Sequence, residues 1–171
     1  MTAAQTPSLN QNQAPHAKTA IVVVSSTRAA AGEYEDRSGP ILVDFLRAQG
    51  FNTAAARVVP DAKIAEAVAA AFAERPAVIL TSGGTGITAD DRTVEAVSVH
   101  IEREMPGLAH AFYSQSAGLP TAALSRTIAG VTGTTFAMAL PGSTGAAKDA
   151  VAVLEPVLGH IMNLLEGNNE H

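Results

Sequence analysis

Cysteine is absent from the 171 residues, and aromatic side chains supply only 4% of them. Without a thiol there is no disulfide, no thiolate nucleophile and no zinc-finger chemistry. Positive charge is also scarce: 11 Lys and Arg stand against 16 Asp and Glu, a net charge of -5. That argues against a general nucleic-acid binder, which presents a basic face. Phosphates remain within reach, because backbone amides bind anions without carrying formal charge. No apolar run approaches the ~18 residues of a membrane span. The stretch 1–17 has no Lys, no Arg and no apolar segment, so it does not read as a secretory signal. Its Gln, Asn, Pro, Ser and Thr content reads as a disordered tail, with His16 a solvated tail residue or a lone ligand. Residues 18–171 are then expected to form a single domain, in a cytoplasmic protein.

What the chain does have is small apolar volume. Hydrophobic residues make up 47%, and 34 of them are alanine. A core of Val, Ile, Leu and close-packed Ala suits helices lying on a sheet. Lys18 to Ser25 is a β-branched run with no polar alternation, the pattern of a strand buried on both faces. A polar loop, Ser26 to Arg37, precedes a helix carrying Ile41, Leu42, Phe45 and Leu46 and stopped by Gly50. The spacing then predicts a strand over 52–59, a helix over 62–74, a strand over 76–80 and a helix over 92–104. Pro106 starts a further helix, strands near 127–132 and 135–140 pair across Gly133-Thr134, and a last helix runs from Ser143 to about Gly167. Alternating strands and helices predict an α/β three-layer sandwich around a mostly parallel sheet. In such sheets ligands sit at the carboxyl ends of strands, which directs attention to the loops after Ser25, Leu80 and Leu140.

The strongest local feature is Gly83-Gly84-Thr85-Gly86 between a buried strand and a helix. Glycines there permit positive φ and let backbone N–H groups approach an anion, with a helix N-terminus adding its dipole. A tight strand-to-helix turn would need fewer glycines. No Gly-Lys-Ser/Thr follows, so this is not a Walker loop. Residues 84–89 match a loose dinucleotide fingerprint, but after the third strand rather than the first, and the acids 20 positions on (Glu102, Glu104) fall in a predicted helix. Asp91, next to Asp90, reads either as a helix cap or as a group that holds magnesium or positions a phosphate. Asp61 after Pro60 has the same two readings, and Ser143 is either a cap or a ligand contact. Arg28 is an anion partner within a solvated loop that also carries Ser26, Glu33, Glu35 and Asp36. His100, His110 and His160 lack metal-ligand spacing, and no G-x-S-x-G element supports a hydrolase.

Taken together, Ser26-Thr27-Arg28 with residues 32–40 (GEYEDRSGP), Val59-Pro60-Asp61, residues 81–96 (TSGGTGITADDRTVEA), 103–108 (REMPGL), 121–126 (TAALSR) and 139–143 (ALPGS) resemble the MoaB/Mog family of molybdenum cofactor biosynthesis proteins, related to the gephyrin G domain. The resemblance covers most of residues 18–165. It implies a trimer, in some members a hexamer, that binds molybdopterin. In active members it implies adenylyl transfer, in which molybdopterin and ATP with Mg2+ give adenylylated molybdopterin and pyrophosphate. A downstream metal-insertion protein is the implied partner. The two carboxylates associated with the chemistry fall on Asp61 and Asp91. The ligand-binding turns fall on Thr81, Ser82, Gly83, Gly84, Thr85 and Gly86, and on Pro141, Gly142, Ser143 and Thr144, with Ser26, Arg28 and Asp36 from the first loop. No metal ligands are assigned. This reaction brings two polyanions together, so backbone amides, magnesium and positioning are the expected contributions, and an ionised phosphate needs no strong base. The chain departs from the commonest family pattern at Thr27, Asp90 and Thr144. A different reading keeps the pterin and drops the chemistry: a non-catalytic molybdopterin carrier, distinguished by having no use for ATP. A nucleotide-binding regulatory domain is a third reading, at the level of fold alone.

Overall fold

The computed structural model describes residues 17–168. The tail expected over 1–17, His16 included, thus lies outside the described residues except for Ala17. Seven strands form one sheet. Its order is β2 (Asn52–Thr53), β1 (Thr19–Ser25), β4 (Val78–Ser82), β7 (Thr135–Leu140), β6 (Ile128–Thr132) and β5 (Arg103–Glu104), with β3 (Arg57–Val59) also pairing with β1. β1, β2, β3, β4 and β7 run parallel; β6 and β5 run antiparallel to their neighbours. The helices are α1 (Thr27–Ala30), α2 (Ser38–Ala48), α3 (Ile64–Ala73), α4 (Thr93–Ser98), α5 (Pro106–Gln115), α6 (Thr144–Leu154) and α7 (Leu158–Leu165).

The unbroken apolar runs have a direct cause, because alternate residues of each central strand feed different cores. Ala20, Val22 and Val24 of β1, Val78 and Leu80 of β4, and Phe136, Met138 and Leu140 of β7 pack with α2, α5, α6 and α7. Ile21, Val23, Ile79, Ala137 and Ala139 face α3 and α4 on the other side. The result is a mixed, mostly parallel sheet between two helical layers, the α/β arrangement expected. The alanines find their use in α6, where Ala146, Ala147 and Ala150 are buried against the sheet.

Several boundaries differ from expectation. The strand expected over 52–59 is split into β2 and β3, both paired with β1. The helix expected over 62–74 begins as a 3-10 turn, Asp61–Lys63. β4 runs through Thr81 and Ser82, because parallel pairing to Val24 and Leu140 continues to Ser82. The helix expected over 92–104 ends at Ser98, and Arg103–Glu104 becomes an edge strand. Gly130 lets it: a side chain there would run into Ile101 and the Arg103 carbonyl oxygen. The last helix is two, separated at Pro156, which has no N–H to continue the ladder. Finally, the loop after Ser25 contains the single turn α1, capped by Ser26 Oγ accepting from the Ala29 amide at 3.2 Å.

Leu80 sits fully buried in a strand with a neighbour on each side. Leu80→Ala is expected to cost about 2–5 kcal/mol through lost transfer energy and the cavity left behind. A lowered urea midpoint at unchanged m value would show it, whereas a loss under ~0.5 kcal/mol would contradict this packing.

Candidate functional site

The three strand ends singled out in the sequence meet. The Gly83 amide donates to the Leu140 carbonyl at 2.9 Å, and the Ser26 amide donates to the Val59 carbonyl at 2.9 Å. Gly83 has φ +89° and lies against the Ser25 carbonyl oxygen so closely that a Cβ would overlap it. A Cβ on Gly142 would in turn stand 3.2 Å from Gly83 Cα. Backbone thus packs on backbone where β1, β4 and β7 end, and only glycine admits that approach.

A cleft of about 290 Å³ opens between the first loop and the start of α6, lined among others by Ser26, Tyr34, Asp36, Ser38, Ser143 and Thr144. Asp36 Oδ1 accepts from the Ser38 amide and hydroxyl, both at 3.1 Å, and from the Gly39 amide at 3.0 Å, so it caps α2. Ser82 Oγ lies 2.8 Å from Ser38 Oγ, to which it donates, and 3.3 Å from the Pro141 carbonyl oxygen. These contacts tie the glycine turn to the first loop and to the last turn at once. Ser143 caps α6, its Oγ accepting from the Ala146 amide at 3.0 Å. Arg28 does not line the cleft; its guanidinium lies over the Tyr34 ring, 5.7 Å from the centroid. Thr81 is fully buried, and its hydroxyl has no partner among the described residues.

Neither Asp61 nor Asp91 lines that cleft: Asp61 is bonded to Ser25, which Gly83 and Gly84 face, and Asp91 lies against Gly86. Asp61 Oδ1 accepts from Ser25 Oγ at 2.6 Å, and Oδ2 from Thr27 Oγ1 at 2.8 Å and the Thr27 amide at 3.3 Å. The Asp61 amide donates back to Thr27 Oγ1 at 3.1 Å, so Thr27 is the second clamp on this carboxylate. Asp91 Oδ2 accepts from the Thr88 amide at 2.9 Å and hydroxyl at 2.7 Å. It lies against Gly86, where a Cβ would come within 2.7 Å of Oδ2. This is the physical need for the last glycine of the turn. A second hollow of about 450 Å³ opens here, between Thr88, Asp91, Arg92, Glu95 and Arg126. The candidate residues are therefore not gathered in one recess: Ser26, Asp36, Gly142, Ser143 and Thr144 line the first and Asp91 the second, while Asp61 and residues 81–86 line neither. The following helix meets the turn through its first residue, but it is short. α4 starts only at Thr93, has six residues, and spends the Thr93 amide on the Gly84 carbonyl at 3.0 Å.

Ser38, Thr88, Glu95 and Arg126 were missed as site residues. Ser38 and Arg126 lie inside segments that carried the family resemblance, but nothing local gives their contacts; Arg126 meets Glu95 across 31 positions and Gly86 across 40.

The Thr88 hydroxyl holds the Asp91 carboxyl below the ordinary aspartate range, helped by the Thr88 and Gly86 amides and the Arg126 charge and opposed by burial. Arg126 likewise holds the Glu95 carboxyl below its usual range. A pKa lowered by folding stabilises above the unfolded value, about 3.9 for Asp, and that gain is lost as pH falls through the folded value. The Tm gap between wild type and Asp91→Asn is therefore expected to narrow from about pH 6 to about pH 3. A gap independent of pH would show that the carboxylate is not held in this way.

Comparison with known proteins follows the same lines. The model of the probable molybdopterin binding domain matches residues 20–160. A molybdenum cofactor biosynthesis bifunctional protein of Chlorobaculum tepidum is 40% identical over 157 residues, 90% of this chain and 50% of that protein. The chain thus spans about half the length of that relative. The Pyrococcus furiosus protein named molybdopterin adenylyltransferase is 31% identical over 149 residues, 82% of this chain and 87% of its own length. The crystal structure of the molybdopterin biosynthesis enzyme MoaB from Thermus thermophilus superposes with a TM-score of 0.76 at 36% identity, covering 88% of this chain and 97% of that one. The chain belongs to the molybdopterin-binding domain family, with the MoaB and Mog proteins of molybdenum cofactor biosynthesis.

Proposed function

We propose that the chain is a molybdopterin adenylyltransferase, with molybdopterin and Mg-ATP as substrates and adenylylated molybdopterin and pyrophosphate as products. The observation that carries this reading is the pair of carboxylates fixed beside one glycine turn, Asp61 through Ser25 and Asp91 against Gly86. It is supported by likeness to a pyrococcal protein named for that activity. An oxygen of the molybdopterin phosphate attacks the α-phosphorus of ATP. The bond from that phosphorus to its bridging oxygen breaks, and pyrophosphate departs with the bridging oxygen and the electron pair. Catalysis of this kind rests on positioning and on offsetting charge. Amides of Gly84, Thr85, Gly142, Ser143 and Thr144 would be the neutral donors, with Ser26 and Asp36 on the cleft rim and Arg28 set back on Tyr34.

Magnesium, when bound, supplies charge neutralisation at the phosphates. The donor set fits a metal that arrives with the nucleotide. Among the described residues no group of three or more His, Asp or Glu forms a ready-made cage. Both Thr88 bonds fall on Asp91 Oδ2, and the Asp91 carboxylate would be the group that holds the ion. Magnesium commonly takes one or two carboxylates together with substrate phosphates. Asp61 has the opposite character: hydroxyls of Ser25 and Thr27 take up its two oxygens, which suits orientation of the first loop. That same occupancy is the observation favouring the second reading, a molybdopterin carrier that makes no use of ATP.

Pyrophosphate release from Mg-ATP is expected to depend on added molybdopterin and to fall at least about a hundredfold in Asp91→Ala, with the fold intact by circular dichroism. Pterin binding with no release in wild type would select the carrier; full activity in Asp91→Ala would remove that residue from the chemistry.

The cytoplasmic, self-associating state belongs to the same proposal. Ile87, Val99, Leu119 and Leu124 are each more than half exposed and are the apolar side chains that other copies of the chain would cover. Light scattering is expected to give a trimer at micromolar concentration, and a particle of monomer mass across that range would refute it.

A further inference from the structure

The segment 86–91 carries Asp91, yet it makes few attachments to the rest of the protein. Its internal bonds are local: the Thr88 amide and hydroxyl to the Asp91 carboxylate, and the Asp91 amide to the Thr88 carbonyl at 3.1 Å. Arg92 Nε adds a bond to the Ala89 carbonyl at 3.1 Å. Ile87 is 74% exposed and anchors nothing. Among the described residues, every hydrogen bond from this segment to a distant part of the chain comes from one side chain, Arg126. Its Nε donates to the Gly86 carbonyl and its Nη2 to the Asp91 carbonyl, each at 2.8 Å. The Arg126 amide donates to the Thr85 carbonyl at 2.9 Å, one residue before the segment. Glu95 on α4 holds the guanidinium from the other side, pairing with Nη1 through Oε1 and lying 3.4 Å from Nη2 through Oε2. The fork therefore spans both ends of the segment while its charge is met by a carboxylate set on a helix.

We propose that Arg126, held by Glu95, is the positioning residue for Asp91, closing the 86–91 segment so that the Asp91 carboxylate stays beside the glycine turn. This rests on the role given to Asp91 in the proposed function. Arg126 touches no reacting atom; it acts through the main chain on either side of the carboxylate. The job needs the guanidinium itself. A planar fork reaches two carbonyls and a carboxylate in fixed directions, whereas a lysine ammonium is a single point of charge on a flexible stem. Lysine at 126 retains the charge opposite Glu95 and loses the simultaneous grip on Gly86 and Asp91. An arginine serving only as a cross-link between α4 and the chain before β6 would be replaced by lysine at little cost.

Two measurements on the full chain test this, with Arg126→Lys, Arg126→Ala and Glu95→Gln. The first is amide hydrogen exchange of Thr88, whose N–H is protected by the Asp91 carboxylate only while the segment is closed. About tenfold or greater loss of protection is expected in Arg126→Lys and Arg126→Ala, and a smaller loss in Glu95→Gln, with β1 and β4 amides unmoved. The second is molybdopterin-dependent pyrophosphate release. In Arg126→Lys kcat is expected to fall about tenfold or more, with KM for ATP changed less than about threefold and Tm near wild type, because misplaced machinery costs rate. Wild-type Thr88 protection in Arg126→Lys overturns the proposal, as does lost protection with unchanged kcat. Should Arg126→Ala fail to fold, the lysine variant and Glu95→Gln decide. No release from the wild-type protein would count against the adenylyltransferase reading alone, and the exchange measurement would still accept or refute the closing of the segment by Arg126.

Discussion

At Gly83 the ends of three parallel strands come into backbone contact, and the site depends on that contact. The Gly83 amide reaches the carbonyl that ends β7, while its bare Cα leaves room for the Ser25 carbonyl on one side and Gly142 on the other. A side chain at 83 would separate β1 from β4 at the place where Ser25 must reach Asp61. It would also push the 141–144 turn from the cleft. Parallel pairing of β1, β4 and β7 fixes the strand ends at one level. The glycine turn forms the floor at that level, tied to β7 by its Gly83 amide.

From that floor the two carboxylates acquire different characters. Asp61 is taken up by hydroxyls from the first loop and becomes part of the framework. Asp91 is held below the ordinary aspartate range by Thr88, and so is an anion at neutral pH, on a segment whose placement depends on Arg126. For the phosphate chemistry proposed above, in a chain with little positive charge of its own, this division makes physical sense. Neutral amides lower the electrostatic cost of an anion without drawing in a partner of their own, and a single ionised carboxylate is a place for a cation that arrives with its substrate.

The fold class was legible because the runs in β1, β4 and β7 have no polar alternation, which only burial on both faces explains. The Gly133 hairpin and the Pro106 helix start were legible from local chemistry as well. Where the reading failed, a distant partner made the decision. Arg103 and Glu104 leave the predicted helix because β6 offers them a ladder opposite Gly130. Thr81 and Ser82 leave the predicted loop because β1 and β7 are still there to pair with.

The sequence by itself determined the layers and the turn that carries the glycines, because each is written in residues close together in the chain; Asp61 and Asp91 were singled out only by the family resemblance. The tertiary structure decided that Asp91 lines a different recess from Ser26, Asp36 and Ser143. It also gave Ser82, Ser38 and Asp36 a common hydrogen-bonded path and made Arg126 the tie on Asp91. The deciding bonds, Ser82 to Ser38, Arg126 to Asp91 and Arg126 to Glu95, join residues 44, 35 and 31 positions apart. No local pattern specifies such bonds, because their geometry exists only once the sheet has set the distance between the loops.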